Sequence, residues 1–374
     1  MLAHLLQRAG IESVVLEHRS REYVESRVRA GVLEHRSAQL LRKSGVGERM
    51  DREGLVHRGI YLQFDGGRHH IDFRDLCGRT ILVYGQQEVA KDLIAARLAA
   101  GGELLFEAEA TEVCDIEGDH PVIRFRRDGR SEELGCDFIA ACDGSHGVGR
   151  LAMKGSVSTY EREYPHAWLG VLARTPPSSE ELIYAYHERG FALHSMRTPE
   201  VSRLYLQVPA GEELTAWPEV RIWKELRLRL DEPSLQAGEI VDIGITAMRS
   251  LVVEPMQRGR LFLAGDAAHV VPPTGAKGMN LALADVRELA AALVEWYSRG
   301  SLARLERYSD ECLSRVWRAE HFSAFMTGLF HRDVDGDPFE HKLRLANLTY
   351  ITRSRAAATS LAENYTGAAS GVGE

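Results

Sequence analysis

The sequence predicts an α/β fold in which a Rossmann-like nucleotide-binding domain is interlocked with a β-sheet domain covering a cavity, followed by a helical C-terminal region. Three observations predict it. The chain opens on a helix, a glycine and a strand. A strand, turn and helix block occupies residues 259–286. Between them lie β-rich stretches that give way to helical periodicity from about residue 276. A chain of 374 residues exceeds one ordinary hydrophobic core and suits one large or two interlocked domains.

Taken in order, residues 2–9 set Leu2, Leu5, Leu6 and Ala9 on one helical face, Gly10 ends that helix, and ESVVLE (12–17) reads as a buried strand. This matches the second half of a βαβ dinucleotide-binding unit. Its strand ends in Glu17, where such folds hydrogen-bond a ribose hydroxyl. The first half, an apolar strand and a G-x-G-x-x-G turn for a pyrophosphate, is expected upstream of Met1, with the start codon placed about one strand and one turn late. Residues 103–116, 122–128 and 136–144 read as strands against the nucleotide-binding half. Residues 167–210 form a second sheet over a cavity, and the tail TGAASGVGE (366–374) is too small and polar to pack.

Composition narrows the function. The 46 basic and 54 acidic residues give a net charge of -8 with no basic block, which argues against nucleic-acid or membrane partners and for small molecules. Five scattered cysteines argue against a disulfide framework and against a metal site, and fit a reducing cytoplasm. A basic leader and a long apolar span are both absent from the sequence, so neither export nor membrane insertion is expected.

The most specific block is GRLFLAGDAAHVVPPTGAKGMNLALADV (259–286). Asp266, at a strand end, can accept hydrogen bonds from a ribityl chain. The helix starting near Gly275 to Gly278 offers free N–H groups and a positive dipole to an anionic ring edge, as in a reduced flavin. A second block, ACDGSHGVGR (141–150), is a Cys-Asp-Gly turn after a strand. A third, ELIYAYHERGFALHSMRTPEVSRLYLQVP (181–209), puts Ser195 and Arg197 two apart on a strand and so on one face. An arginine fork with hydroxyls is what a buried carboxylate requires. In isolation these pieces also fit a capping turn, a plain turn, and a surface arginine beside core tyrosines.

Together the blocks closely resemble the class A flavoprotein aromatic hydroxylases, most of all the members that oxidise 4-hydroxybenzoate, and the resemblance runs from Leu2 to about Gly367. It implies a Rossmann-like FAD-binding domain interlocked with a β-sheet substrate domain. The implied segments are 1–165 (FAD-binding, N-terminally incomplete), 166–255 (substrate sheet), 256–290 (flavin-binding Gly-Asp motif and helix) and 291–374 (helical). The implied reaction is hydroxylation of 4-hydroxybenzoate to 3,4-dihydroxybenzoate with FAD, NADPH or NADH, and O2, in a homodimer.

The resemblance also implies roles. Ser195, Arg197 and Tyr205 clamp the substrate. Tyr184 and Tyr365 (in LAENYTG, 361–367) carry the phenol proton, with His57 (in GLVHRG) ending the relay at solvent, and Pro273 presents its carbonyl to the substrate hydroxyl. Arg29, Gln86, Asp266, Lys277, Gly278 and Asn280 serve FAD with Glu17, while Asp143, His146, Arg150 and Arg249 lie toward flavin and nicotinamide nucleotide. Arg19, Arg21, Tyr23 and Arg27 favour NADPH, although His18 stands where NADPH-preferring members commonly have arginine. Two alternatives stay open: a related hydroxylase of another aromatic acid, and a non-catalytic product unable to hold FAD.

Overall fold

The computed structural model describes residues 1–28, 31–332 and 336–368. The opening helix, Leu2–Arg8, stops where Gly10 takes φ +75°, a left-handed conformation that glycine adopts without a Cβ clash. The strand Val14–Glu17 follows and pairs in parallel with Glu103–Phe106. Ile139–Ala141 pairs in parallel with Leu261–Leu263, which also carries the short strand Gln257–Arg258. Among the described residues no strand joins these two small sheets.

An eight-stranded sheet dominates the molecule. Its order is His269–Val270, Glu239–Glu254, Ser158–Arg174, Val201–Pro209, Ala192–Thr198, Ile183–Ala185, Gly59–Phe64 and Gly67–Asp72. Every pairing is antiparallel except that of Ile183–Ala185 with Gly59–Phe64. Strands from early in the chain therefore complete a sheet built mostly from residues after 157, and this is the interlock between the two halves.

Strand periodicity sorts the faces. On one, Ala167, Leu169, Val171, Leu204 and Leu206 pack beneath Ile222, Trp223 and Leu226 of the helix Glu219–Arg229. On the other, Trp168, Tyr184 and Leu193 meet Phe322, Met326 and Phe330 of the helix Ala303–Phe330 and Leu361 and Tyr365 of the helix Arg355–Thr366. The second face holds the larger aromatic cluster, with Tyr184 and Tyr365 in it. No described helix is long and apolar enough to cross a membrane. Among the described residues no His, Cys, Asp and Glu group is arranged to hold a metal ion.

Local differences from the sequence reading have physical reasons. The run 103–116 is two strands, Glu103–Phe106 and Glu109–Cys114, split where Glu107 takes φ 55°. The run 181–197 is also split, because Gly190 at φ +106° turns the chain between Ile183–Ala185 and Ala192–Thr198. His57 lies in the strand Leu55–His57, paired with Ile81, and not in a turn.

Candidate active site

The hairpin of Ala192–Thr198 and Val201–Pro209 places Ser195 opposite Arg203 and Leu193 opposite Tyr205. Directly paired residues and residues two apart share a face, so Ser195, Arg197, Arg203 and Tyr205 converge. The Arg197 Nη1 donates to Ser195 Oγ at 2.8 Å and to the Met196 carbonyl at 3.0 Å, while its enclosed Nε has no partner. Burial pushes the Arg197 pKa down, with Tyr205 opposing and the neighbouring Arg203 adding to the fall. Arg203 lies over the Tyr205 ring at 5.4 Å and pairs with Asp242 at 2.8 Å. Two guanidiniums beside one phenol, one of them without a carboxylate among the described residues, form a site an anion would neutralise.

An aromatic wall runs from this clamp toward the tyrosine pair. Tyr205 packs on Trp168 at 4.8 Å between ring centres, Trp168 on Phe191 at 5.4 Å, and Phe191 on Tyr184 at 6.0 Å. Tyr184 and Tyr365 are each 1 % exposed, and their hydroxyls are 2.7 Å apart. The Tyr184 hydroxyl also donates to the Thr274 carbonyl at 3.2 Å. With that proton directed at Thr274, a lone pair of the Tyr184 oxygen is left to accept from Tyr365. Burial, then the neighbouring Tyr365, lifts the Tyr184 pKa well above the phenol range, and burial raises that of Tyr365 as well.

One expectation needs correction. His57 does not open to solvent: it is 1 % exposed, neither ring nitrogen has a partner, and burial pushes its pKa down to about 4. The Pro273 carbonyl accepts the Ala276 amide at 2.9 Å within the 3-10 turn Pro273–Gly275 and keeps a second lone pair, while the carbonyl that accepts from Tyr184 is that of Thr274. Fixed φ at adjacent prolines stiffens this loop, and the hydroxyl of Thr274 bonds that of Thr327 at 3.0 Å.

The helix Gly278–Arg299 begins immediately after this loop. Lys277 donates to Glu34 at 2.5 Å and to the carbonyls of Asn364 and Tyr365 at 2.5 and 3.0 Å, so it fixes the backbone that carries Tyr365. Asn280 accepts from the Glu34 amide and donates to the Val32 and Ala276 carbonyls. Both side chains tie the loop to the N-terminal half. Beneath the Gly-Asp turn, the buried Asp285 carboxylate accepts from the Gly265 amide at 3.0 Å and meets His269 at 2.6 Å. Burial opposes a charge on His269, but Asp285 raises its pKa. The turn is thereby pinned while Asp266 stays exposed at the end of the strand Leu261–Leu263.

The other nucleotide-side candidates fall into groups. Glu17 ends its strand and accepts from the Arg19 amide at 2.8 Å. Gln86 starts the helix Gln86–Ala99, next to a buried Gln87 Oε1 without a partner. Asp143 accepts from the Gly149 amide at 2.9 Å, capping a short helix. A Cβ on Gly147 would stand 1.9 Å from the Asp143 carboxyl carbon, which is why glycine is needed there. Ser145 links three candidates: its hydroxyl meets His146 Nδ1 at 3.2 Å and Arg249 Nη2 at 2.6 Å, and its carbonyl accepts from Arg150. Arg29 lies outside the described residues. Sequence reasoning missed Arg203, Trp168, Thr274, Ser145 and Asp285. Only Arg203 had a usable signal, since strand alternation puts it on the face of Tyr205.

These residues fit a flavin nucleotide. An exposed carboxylate at a pinned turn suits a polyol, and the enclosed Arg150 Nη1, which has no partner, suits an anionic oxygen. The profile of the FAD binding domain family matches residues 1–323, and the chain belongs to that family, among the flavin-dependent aromatic monooxygenases. It is 46 % identical over 372 residues, covering 98 % of this chain and 92 % of its relative, to a p-hydroxybenzoate hydroxylase from Acinetobacter baylyi (strain ATCC 33305 / BD413 / ADP1). It is 28 % identical over 324 residues, 81 % of this chain and 64 % of the relative, to a rifampicin monooxygenase from Streptomyces venezuelae. The fold matches the crystal structure of p-nitrophenol 4-monooxygenase PnpA from Pseudomonas putida DLL-E4 with a TM-score of 0.83 at 17 % identity, over 98 % of this chain and 94 % of that one.

Proposed function

We propose that this chain hydroxylates 4-hydroxybenzoate to 3,4-dihydroxybenzoate with FAD, O2 and NAD(P)H. The observation that carries this reading is the aromatic wall joining the Arg197 clamp to the Tyr184–Tyr365 pair, which suits a ring with a carboxylate at one end and a phenol at the other. When bound, FAD reduced by NAD(P)H supplies the activated oxygen.

The protein's own residues hold the ring and handle its proton. Arg197, with Ser195 and Tyr205, binds the carboxylate and fixes which ring carbon faces the flavin. With its hydroxyl turned from the Thr274 carbonyl toward Tyr365, which is 2.7 Å away, Tyr184 receives the phenol proton at its oxygen as its own proton passes to Tyr365. In such a shuttle neither buried tyrosine has to carry a standing negative charge, which their raised pKa values disfavour. Loss of that proton makes the ring electron-rich. His57 accepts the proton beyond Tyr365 in this reading. Thr274, through the carbonyl, and Lys277, through the Tyr365 backbone, hold the pair in place.

Nucleotide choice follows from residues 18–27. Arg19 and Arg27 lie over the Tyr23 ring at 5.1 and 5.7 Å, a basic cluster that supports NADPH. A homodimer, a cytoplasmic location and roles for Glu17, Arg29, Gln86, Asp143, His146, Arg150, Arg249, Asp266, Lys277, Gly278 and Asn280 around the two nucleotides belong to the same reading. The test is product analysis. Protein carrying FAD, given NADPH, air and 4-hydroxybenzoate, is expected to form 3,4-dihydroxybenzoate, whereas benzoate should bind and yield no catechol. Formation of an amino-hydroxybenzoate from an aminobenzoate, with no catechol from 4-hydroxybenzoate, would move the reading to a related ring acid.

A further inference from the structure

The proton path just proposed ends at a histidine that is sealed from water, so a proton arriving at His57 needs a further carrier. The structure supplies one at the next turn of chain. The Glu181 carboxylate accepts from the amides of Arg58 and Gly59, the two residues after His57, at 2.6 and 3.0 Å. Its other oxygen meets His70 Nε2 at 2.6 Å. Glu181 is largely enclosed, at 14 % side-chain exposure, while His70 reaches solvent at 34 %. His70 also packs beside the Tyr61 ring at 4.9 Å, which limits where its imidazole can turn.

Local geometry is shaped to allow this contact. A Cβ on Gly59 would stand 2.7 Å from His70 Nε2 and 2.2 Å from the Ile71 carbonyl, so any other residue there would push the imidazole away. The charges felt by His57 are those of Glu181, which favours a proton on it, and Arg197, which opposes one, and the buried His194 is coupled to it too. Arg197 repels a proton from His57 and Glu181 attracts it, which sets a direction from substrate to surface.

We propose that Glu181 and His70 form the solvent end of the proton path, with Glu181 taking the proton from His57 and His70 exchanging it with bulk water. This rests on the relay through Tyr184, Tyr365 and His57. In one passage His57 gives up one proton to the Glu181 carboxylate, Glu181 passes one to His70 Nε2, and His70 releases one from Nδ1 to water. His57 and Glu181 return to their starting states, His70 passes from its Nδ1–H to its Nε2–H tautomer and is reset by proton exchange with water, and the net change is one proton in solvent and a phenolate in the site.

The experiment is a stopped-flow pH jump on the FAD-loaded protein with bound 4-hydroxybenzoate, following the ultraviolet change between phenol and phenolate. It is run on wild type, His70→Gln, Glu181→Gln, His57→Asn and Tyr184→Phe. His70→Gln is expected to slow the relaxation at least about tenfold with an unchanged substrate dissociation constant, and added imidazole should restore part of the rate. His70 is at the surface, so this variant tests the path even if Glu181→Gln disturbs the turn. A wild-type rate in His70→Gln together with a slow His57→Asn overturns the exit while leaving the relay standing. Wild-type rates in both His57→Asn and Tyr184→Phe overturn the relay, and the exit with it.

Discussion

The phenolic oxygens of Tyr184 and Tyr365, 181 positions apart in the chain, lie 2.7 Å from each other in a contact closed to solvent. Removing the first hydroxyl leaves the substrate phenol without its partner but leaves the clamp intact. Tyr184→Phe is therefore expected to keep its dissociation constant for 4-hydroxybenzoate and lose most hydroxylation. Titrations of binding and measurements of catechol formed per NADPH consumed check this, and an unchanged product yield would remove Tyr184 from the role.

Arg197 should govern affinity and not the proton. Loss of a charged hydrogen bond to a carboxylate costs roughly 1.5–3 kcal/mol or more, which is about tenfold or more in dissociation constant. Arg197→Ala is expected to weaken binding of both 4-hydroxybenzoate and plain benzoate by that amount. Equal affinity in variant and wild type would count against a carboxylate at this end of the wall.

His331 predicts acid lability. Its Nε2 accepts the Trp168 indole N–H at 2.6 Å and its Nδ1 meets the Thr327 carbonyl at 3.1 Å, an arrangement that requires the neutral ring. Burial, with His166 adding to the effect, pushes its pKa down to about 3. The folded pKa is below the unfolded one, so the stability it contributes is present above about pH 6.5 and is lost as pH falls toward 3. Between pH 7 and 5 the wild type should lose roughly 2 kcal/mol more than His331→Gln in urea unfolding. Parallel pH profiles for the two proteins would refute this.

Glu320 predicts the opposite slope. It is buried, one oxygen accepts from Ser250 at 2.8 Å, and the other has no partner. Burial raises its pKa to about 7, against the bond from Ser250. A carboxyl with a raised folded pKa binds more protons folded than unfolded, so stability falls as pH rises from about 4.5 through 7. Glu320→Gln should gain about 2–3 kcal/mol relative to wild type between pH 5 and pH 8, read from melting or urea midpoints.

Much of this architecture was legible because it is local. The Gly-Asp turn, the helix that follows it, and the two-residue spacing of Ser195 and Arg197 are carried by short windows with a clear period. What escaped depends on partners far away in sequence. The isolation of His57 follows from packing across the site, and no property of GLVHRG reveals it. The contact of the Thr274 carbonyl with Tyr184 joins residues 90 positions apart, and no property of the loop's own sequence reveals it. Asp285 looks like any helix residue until the fold brings Gly265 and His269 to it.

The parallel pairing of Gly59–Phe64 with Ile183–Ala185 has a consequence for biosynthesis. When Gly59–Asp72 leaves the ribosome, the edge it must join has not yet been made, and the backbone groups on that side stay unmatched until more than a hundred further residues have been added. A nascent chain halted before residue 183 would hold a sticky strand pair with nowhere to dock. Cleavage of the finished protein within a connecting loop would instead leave pieces that stay clasped together.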